Sequence, residues 1–407
     1  MSRIDELVER LCPEGVEYRA LGEVGTFARG SGLQKKDFVE VGEPCIHYGQ
    51  IYTYYGLAAT ETKSFIEPAL WSRLKKANPG DVIIAITSEN VEDVCKAMVW
   101  EGEGQVAIGG HSASYTTSLN SRYVAYWFQT EDFFNQKKKL VKGTKVIEMS
   151  PDNLARIRIP VPPMEVQEEV VRVLDSFAEL EAELEAELEA RRRQYAHYRD
   201  QLLDFTERED VPWLTLGEVC EAVCSGGTPS RKNSAYYGGG IPWLCTGEVD
   251  WCYIDSTEQT ITEEGLANSS AKWIPAGCVI VAMYGATAAK VAMNTVPLTT
   301  NQACCNLQID NSVALTRYAY HWLCREYENL KALGEGSQKN INAQKVKSYP
   351  IPLPPLAEQQ RIVSILDRFD ALTTSLTEGL PAEIEARRAQ YAHYRDRLLA
   401  FPERPAA

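Results

Sequence analysis

The heptapeptide QYAHYRD occurs twice, at Gln194–Asp200 and Gln390–Asp396, and each copy closes a stretch with helical periodicity. Each stretch opens on a proline-rich step: Ile159-Pro160-Val161-Pro162-Pro163 is echoed by Ile351-Pro352-Leu353-Pro354-Pro355. Between step and heptapeptide, Val173-Leu174-Asp175-Ser176-Phe177 is echoed by Ile365-Leu366-Asp367-Arg368-Phe369. The chain is a tandem duplication with a period of about 195 residues, each unit a globular part followed by a long helix. Two similar heads on two similar rods imply a ligand with two similar parts.

The boundaries that follow are a first head over 1–159, a helical region over 160–208, a second head over 209–351 and a second helical region over 352–407. Both heads begin alike, Leu21-Gly22-Glu23-Val24 matching Leu216-Gly217-Glu218-Val219. In each, a turn (Pro79-Gly80-Asp81; Pro275-Ala276-Gly277) feeds an apolar strand, Val82–Ile86 or Val279–Met283. A helical pattern follows late in each, Arg122–Lys139 and Thr316–Leu333, with Tyr123 and Trp127 equivalent to Tyr318 and Trp322. Aromatics four apart share one helical face and are read as core. The fold class is mixed α/β: two globular α/β domains separated by two long helices that form an antiparallel coiled coil, with a pseudo-two-fold internal repeat.

The first rod carries apolar residues at Val166, Val170, Val173, Phe177, Leu180 and Leu184, the alternating steps of four and three of a coiled-coil seam. After a further step to Leu188 the seam resumes through Arg191, Tyr195, Tyr198 and Leu202. The second rod reads Ile362, Ile365, Phe369, Leu372, Leu376, Leu380, Ile384, Tyr391, Tyr394 and Leu398. It is longer between the matched blocks by about four residues, a stutter, and Gly379 and Pro381 predict a break there. Antiparallel pairing sets the acidic run Glu181–Glu189 near Arg387 and Arg388 of the other rod. Rods of about 35 residues would hold the heads roughly 50 Å apart, a helical turn or more of DNA.

Net charge is −14, which disfavours a uniformly basic DNA-binding surface. Half of the excess lies on the first helical region, with 6 basic and 13 acidic groups in 160–208. The first head is nearly neutral with its cations bunched, so local basic surfaces are expected. No apolar run reaches the length of a membrane span, and the charged amino terminus lacks a secretory pattern. The chain is therefore expected to be cytoplasmic. The 11 cysteines include no CxxC pair and are read as reduced thiols. Cys220, Cys224, Cys245 and Cys252 match no zinc spacing, and no metal site is expected.

The chain has no GxxxxGK[ST] loop, no GxGxxG turn after a strand, no HExxH and no GxSxG, so catalytic residues are expected to be absent. The loops instead carry basic, aromatic and amide chemistry. In the first head these are Ser31, Lys35 and Lys36; Tyr48, Gln50, Tyr52 and Tyr54; His111 and Ser112; and Lys142, Thr144 and Lys145. In the second they are Thr228, Ser230, Arg231 and Lys232; Tyr236 and Tyr237; Thr300, Asn301 and Gln302; and Gln338, Lys339 and Asn340. Lysines and arginines on flexible loops suit phosphates, whereas amides pair with base edges, Gln50 with adenine among them. The same residue types also populate idle turns.

Together these features resemble the specificity subunit of type I restriction–modification systems. The carrying residues are SGGTPSRKNSAYYGGGIPWL at Ser225–Leu244, PIPLPPLAEQQRIVSILDRFD at Pro350–Asp370 and EARRAQYAHYRDRLLAF at Glu385–Phe401. The first head departs from the pattern, with Gly30-Ser31-Gly32-Leu33 where the second has its GGTPS loop. The resemblance implies two target-recognition domains, each binding one half of a bipartite double-stranded DNA site, and rods that set the unread spacer. It implies a non-catalytic subunit with two modification (methyltransferase) subunits and restriction (translocase and nuclease) subunits as partners. S-adenosylmethionine, ATP and Mg then belong to those partners, and this chain binds no cofactor. Arg192, Arg193, His197, Arg388 and His393, surface positions nearly repeated between the copies, become candidate docking residues. Alternatives are a specificity subunit of a methylation-only or other multi-subunit system, a carbohydrate-binding protein with two aromatic-rich modules, and a purely structural coiled-coil scaffold.

Overall fold

A computed structural model of the chain describes residues 3–335, 340–374 and 379–405. The chain forms two compact units, Met1–Glu183 with Glu385–Ala407, and Leu184–Ile384. Both are mixed α/β, and each contains one head together with parts of both helical regions.

The heads share one topology. In the first, a five-stranded sheet runs Gly25–Arg29, Ser112–Thr117, Val82–Ala85, Ala97–Trp100, Ala58–Ala59. In the second the order is Cys220–Ser225, Cys304–Ile309, Val279–Ala282, Val291–Asn294, Cys252–Ile254, the same sequence of connections. The neighbours are antiparallel except the last pair, which is parallel in both (Val99↔Ala58; Cys252↔Ala292). Val82–Ala85 and Val279–Ala282 are buried throughout, as befits central strands covered on both faces. A second sheet of short strands lies in each head, built around Val106–Ile108 in the first and Leu298–Thr300 in the second. The proline steps become two-stranded edges, Arg158–Val161 beside Glu17–Ala20 and Pro350–Pro352 beside Trp213–Thr215, where a missing N–H costs no ladder bond.

Tyr123 and Trp127 are fully buried, as is Tyr318, and Trp322 is 2% exposed. The two late helical patterns are each broken once. Ser121–Trp127 gives way to Glu131–Lys137, and Thr316–Arg325 to Tyr327–Ala332. Thr130 causes the first break: in extended conformation it accepts the Phe133 N–H on its hydroxyl and caps a new helix.

The first rod is a helix over Met164–Leu202; the second is described as Leu356–Thr374 and Leu380–Leu398. Of the expected break or kink at Gly379 and Pro381, Gly379 is a bend just ahead of the last helix and Pro381 occupies that helix's first turn; residues 375–378, with Leu376, lie outside the described residues. Within the first unit the paired helices run antiparallel. Phe177 stacks on Tyr394 at 5.5 Å, and one turn on, Glu181 accepts a 2.7 Å bond from Arg388, one to two turns earlier in its own helix. In the second unit Tyr198 stacks on Phe369, also at 5.5 Å.

The seam differs from the expected one at two equivalent places. Leu180 is 48% exposed and Leu372 37%, whereas Leu174 and Leu366 are fully buried against the heads' cores. Over its first turns each rod helix therefore serves two partners. One stripe (Val170, Leu174; Ile362, Leu366) packs on the head, and the adjacent aromatic (Phe177; Phe369) packs on the other helix.

Candidate nucleic-acid interface

In the first head, sheet topology brings distant loops to one place. Gly30 donates its N–H to Ser112 O (2.9 Å), Ser31 to Ile108 O (3.2 Å), and Arg29 Nε to Gly110 O (3.0 Å). A Cβ on Gly30 would lie 2.2 Å from Gly109 O, so glycine is needed there for close approach of two backbones. Ile86 donates to His111 O and Met149 to Ile86 O, both at 2.9 Å, which adds the 87–88 and 142–148 segments. Arg29 closes the group through a 2.7 Å ion pair with Glu148, and His111 Nδ1 lies 3.1 Å from Thr87 Oγ1.

The aromatic loop joins the same surface. The Tyr48 ring lies 4.9 Å from that of His111 and 4.6 Å from that of His47. Burial, with help from the charges of Lys35 and His111, pushes His47 below its ordinary pKa, and its Nδ1 accepts the Gly49 N–H. Lys35, Lys36, His111, Lys142, Thr144 and Lys145 are exposed. Their neighbourhood is a cationic and aromatic rim.

Other expected residues have internal duties. Both ends of the Gln50 amide are engaged, Oε1 by His47 N–H and Nε2 with Ser64 Oγ, so Gln50 caps a helix. Tyr52 donates to Ala85 O and Thr87 O, and the Ser31 hydroxyl accepts from Lys75 N–H. Ser112 is fully buried. Tyr54, 56% exposed, lies under the Lys63 ammonium at 4.3 Å.

The second head repeats the construction with other side chains. Met283 donates to Ala303 O (2.8 Å) and Ile341 to Met283 O (2.9 Å), the counterparts of the Ile86 and Met149 bonds. Gly227 donates to Thr300 O, and a Cβ on Gly226 would lie 1.9 Å from that oxygen. The Ser225–Lys232 loop is further held by Tyr237, whose O–H donates to Pro229 O, and by Trp243, whose Nε1–H donates to Gly227 O. The Thr228 hydroxyl hydrogen-bonds the Gln302 side chain, joining two expected residues. Ser230, Arg231, Lys232 and Gln302 are exposed; Tyr236 and Asn301 are half-buried. Asn340 accepts the Gly285 N–H. Thr300 is fully buried, its hydroxyl accepting from Asn306. Gln338 and Lys339 lie outside the described residues.

On the helices, Arg192 pairs with Glu189 one turn back, and Arg193 is exposed without an ion-pair partner among the described residues. His197 and His393 are exposed and lie edge-on to Tyr198 and Tyr394. Arg388 is engaged with Glu181. All eleven cysteines are free, and burial pushes Cys45, Cys95 and Cys305 up to about 12. Among the described residues no cluster of His, Cys, Asp and Glu is arranged to hold a metal ion, and no helix is long and apolar enough to cross a membrane.

Sequence reasoning put Arg29 in a basic loop suited to phosphates, whereas it pairs with Glu148 and locks two loops together; it missed Glu148, and also Arg122 and Arg317, which bind the helices. Arg122 and Arg317 were findable: each immediately precedes a matched tyrosine, Tyr123 or Tyr318. What the loops offer is exposed cations, amides and rings over rigid backbone, a composition suited to phosphates and base edges.

The profile of the type I restriction modification DNA specificity domain matches residues 13–190 and again 209–386. The EcoR124I/EcoR124II type I restriction enzyme specificity subunit of Escherichia coli is 41% identical over 296 residues, covering 69% of this chain and 71% of that protein. A putative type I restriction enzyme specificity subunit of Haemophilus influenzae is 31% identical over 312 residues, 72% of this chain and 75% of the other. The S subunit of a type I restriction–modification system from M. genitalium has a similar fold, with a TM-score of 0.55 at 13% identity over 95% of this chain and 96% of that one. A chain from a structure of type I complex assembly and conformational transition gives 0.59 at 18% identity, over 95% and 98%.

Proposed function

This chain belongs to the type I restriction–modification DNA specificity family, and on that premise we propose how it works as a specificity subunit. Each head binds one half of a gapped double-stranded DNA site, and the paired helices set the length of the unread spacer. One observation carries the reading. Two heads of one topology bring corresponding loops together through corresponding backbone bonds, yet present different side chains on them. A shared scaffold with different surfaces is what reading two different half-sites requires.

In this scheme Lys35, Lys36, Lys142, Lys145, Arg231 and Lys232 meet phosphates. Tyr48, His111, Asn301 and Gln302 face the bases, while Gln50, Ser112 and Thr300 hold the loops in shape. The chain performs no chemistry itself. Methyl transfer from S-adenosylmethionine, and ATP- and Mg-dependent translocation and cleavage, fall to modification and restriction subunits. The modification subunits dock on the exposed helix faces that carry Arg192, Arg193, His197 and His393. Arg388, engaged with Glu181, is a further docking candidate on the last helix. The free thiols agree with a reducing, cytoplasmic setting. Family membership removes the support for the carbohydrate and scaffold alternatives.

Single-molecule methylation mapping of host DNA with the gene present and deleted tests the scheme. The expected outcome is loss of one gapped motif on deletion. Loss of a continuous, ungapped motif instead would contradict it.

A further inference from the structure

Each rod helix is joined to its head by two polar contacts repeated in both units. The first is a glutamine at the start of the helix. Gln167, 2% exposed, accepts the Asn120 N–H (2.9 Å) and donates to Pro162 O (2.8 Å). Gln359, fully buried, accepts the Leu315 N–H (2.9 Å) and donates to Pro354 O (2.9 Å). The second is an aspartate in the matched block. Asp175 accepts from Arg122 Nη1 (2.8 Å) and from the Tyr126 hydroxyl (2.6 Å), and Arg122 is in turn forked onto Glu101. Asp367 accepts from Arg317 Nη2 (2.5 Å) and Nε (3.0 Å) and bonds His321 Nε2 (2.7 Å).

In both units the aspartate follows the glutamine by eight residues, about two turns and 12 Å along the helix. Contact at the glutamine alone leaves a pivot, because the apolar residues between (Val170 and Leu174; Ile362 and Leu366) are non-directional in their packing. A second directional contact two turns away fixes the angle. At about 25 Å from the pivot, the scale of a head of this size, a tilt of roughly 8° moves the reading surface by about 3.4 Å, one base-pair rise.

We infer that the Arg122–Asp175 and Arg317–Asp367 joints are positioning elements that set the spacer length the protein accepts, by fixing the angle between each head and its helix. This rests on the proposed function and adds to it the residues that hold the ruler's scale. A joint that served only general stability would lower all DNA substrates together. A positioning joint separates them by spacer.

The experiment uses the full chain reconstituted with its modification subunits and DNA duplexes carrying the native half-sites at the native spacer or one base pair longer or shorter. Methylation kcat/KM is measured for wild type, Asp175→Asn, Asp367→Asn and Tyr126→Phe, with thermal melts alongside. The ratio of native to altered spacer is expected to fall by about tenfold for the Asn variants and about threefold for Tyr126→Phe, with the half-site sequences unchanged. Tyr126→Phe loses one hydroxyl without changing shape, so it reports even if an Asn variant fails to fold. An unchanged ratio in a folded variant overturns the inference. A wild-type protein that requires no gap overturns the proposed function instead, and the inference with it.

Discussion

His321 shows how one residue gives the duplicated joint a property its partner lacks. It is fully buried, bonds Asp367 through Nε2, and lies 3.0 Å from the Tyr195 hydroxyl through Nδ1. A neutral ring suits both contacts, donating to the carboxylate and accepting from the phenol. Burial pushes its pKa down, the Arg317 charge helps, and Asp367 and Asp370 only partly oppose; Tyr320 and Tyr195 pack around it. A depressed histidine pKa means the unfolded chain binds the proton more readily. Its contribution is therefore complete above about 6.5 and is lost as pH falls toward the folded-state pKa. Hydrogen exchange in the second unit should show protection falling between pH 7.5 and 5.5. His321→Tyr, which installs the residue of the first unit, should flatten that dependence; equal slopes in both proteins would refute the assignment. Sequence periodicity singled out only Tyr318 and Trp322 in this helix, and the partner of His321, Asp367, is 46 residues away, beyond any local periodicity. Glycines show the same limit. Gly30 and Gly226 read as turn residues, but their use is backbone contact with strands far along the chain.

At the level of elements, the helix pair was legible because period and duplication agree. Phe177 and Phe369 occupy matched blocks and make matched stacks at 5.5 Å with interplanar angles of 23° and 24°. The exposure of Leu180 and Leu372 was not legible, because a period of three and four fixes a stripe but not which of two neighbouring stripes the head covers. The break at Thr130 was missed for a related reason: continuous apolar periodicity hid a capping threonine. The contacts also differ in weight. Phe177→Ala removes a stacked ring and should destabilise the first unit by about 1–3 kcal/mol. Arg388→Ala removes an ion pair whose side chains are 47% and 27% exposed and should cost about 0.5 kcal/mol or less. Urea melts of the two variants measure both. An arginine effect as large as that of the phenylalanine would show that the charged pair, and not the seam, holds these helices together.

For the molecule as a whole, the duplication means that everything a head needs from its helix is present twice. The backbone bonds that gather the loops, the buried glutamine and the arginine–aspartate joint all recur at equivalent positions. Side chains on the loops recur far less: the first head has Ser31, Tyr48 and His111 where the second has a GGTPS loop and Gln302. Recognition should therefore be portable between positions and the scaffold indifferent to which head it carries. Replacing residues 15–159 by residues 211–351 keeps an arginine in place to meet Asp175, since Arg317 takes the position of Arg122. The chimera should fold, assemble with modification subunits and methylate a gapped motif whose two halves are inverted copies of one half-site, that of the second head. Methylation mapping checks this directly. A chimera that assembles but leaves the first half of the motif unchanged would mean that sequence is read outside the heads, and the division between reading surface and scaffold would not hold.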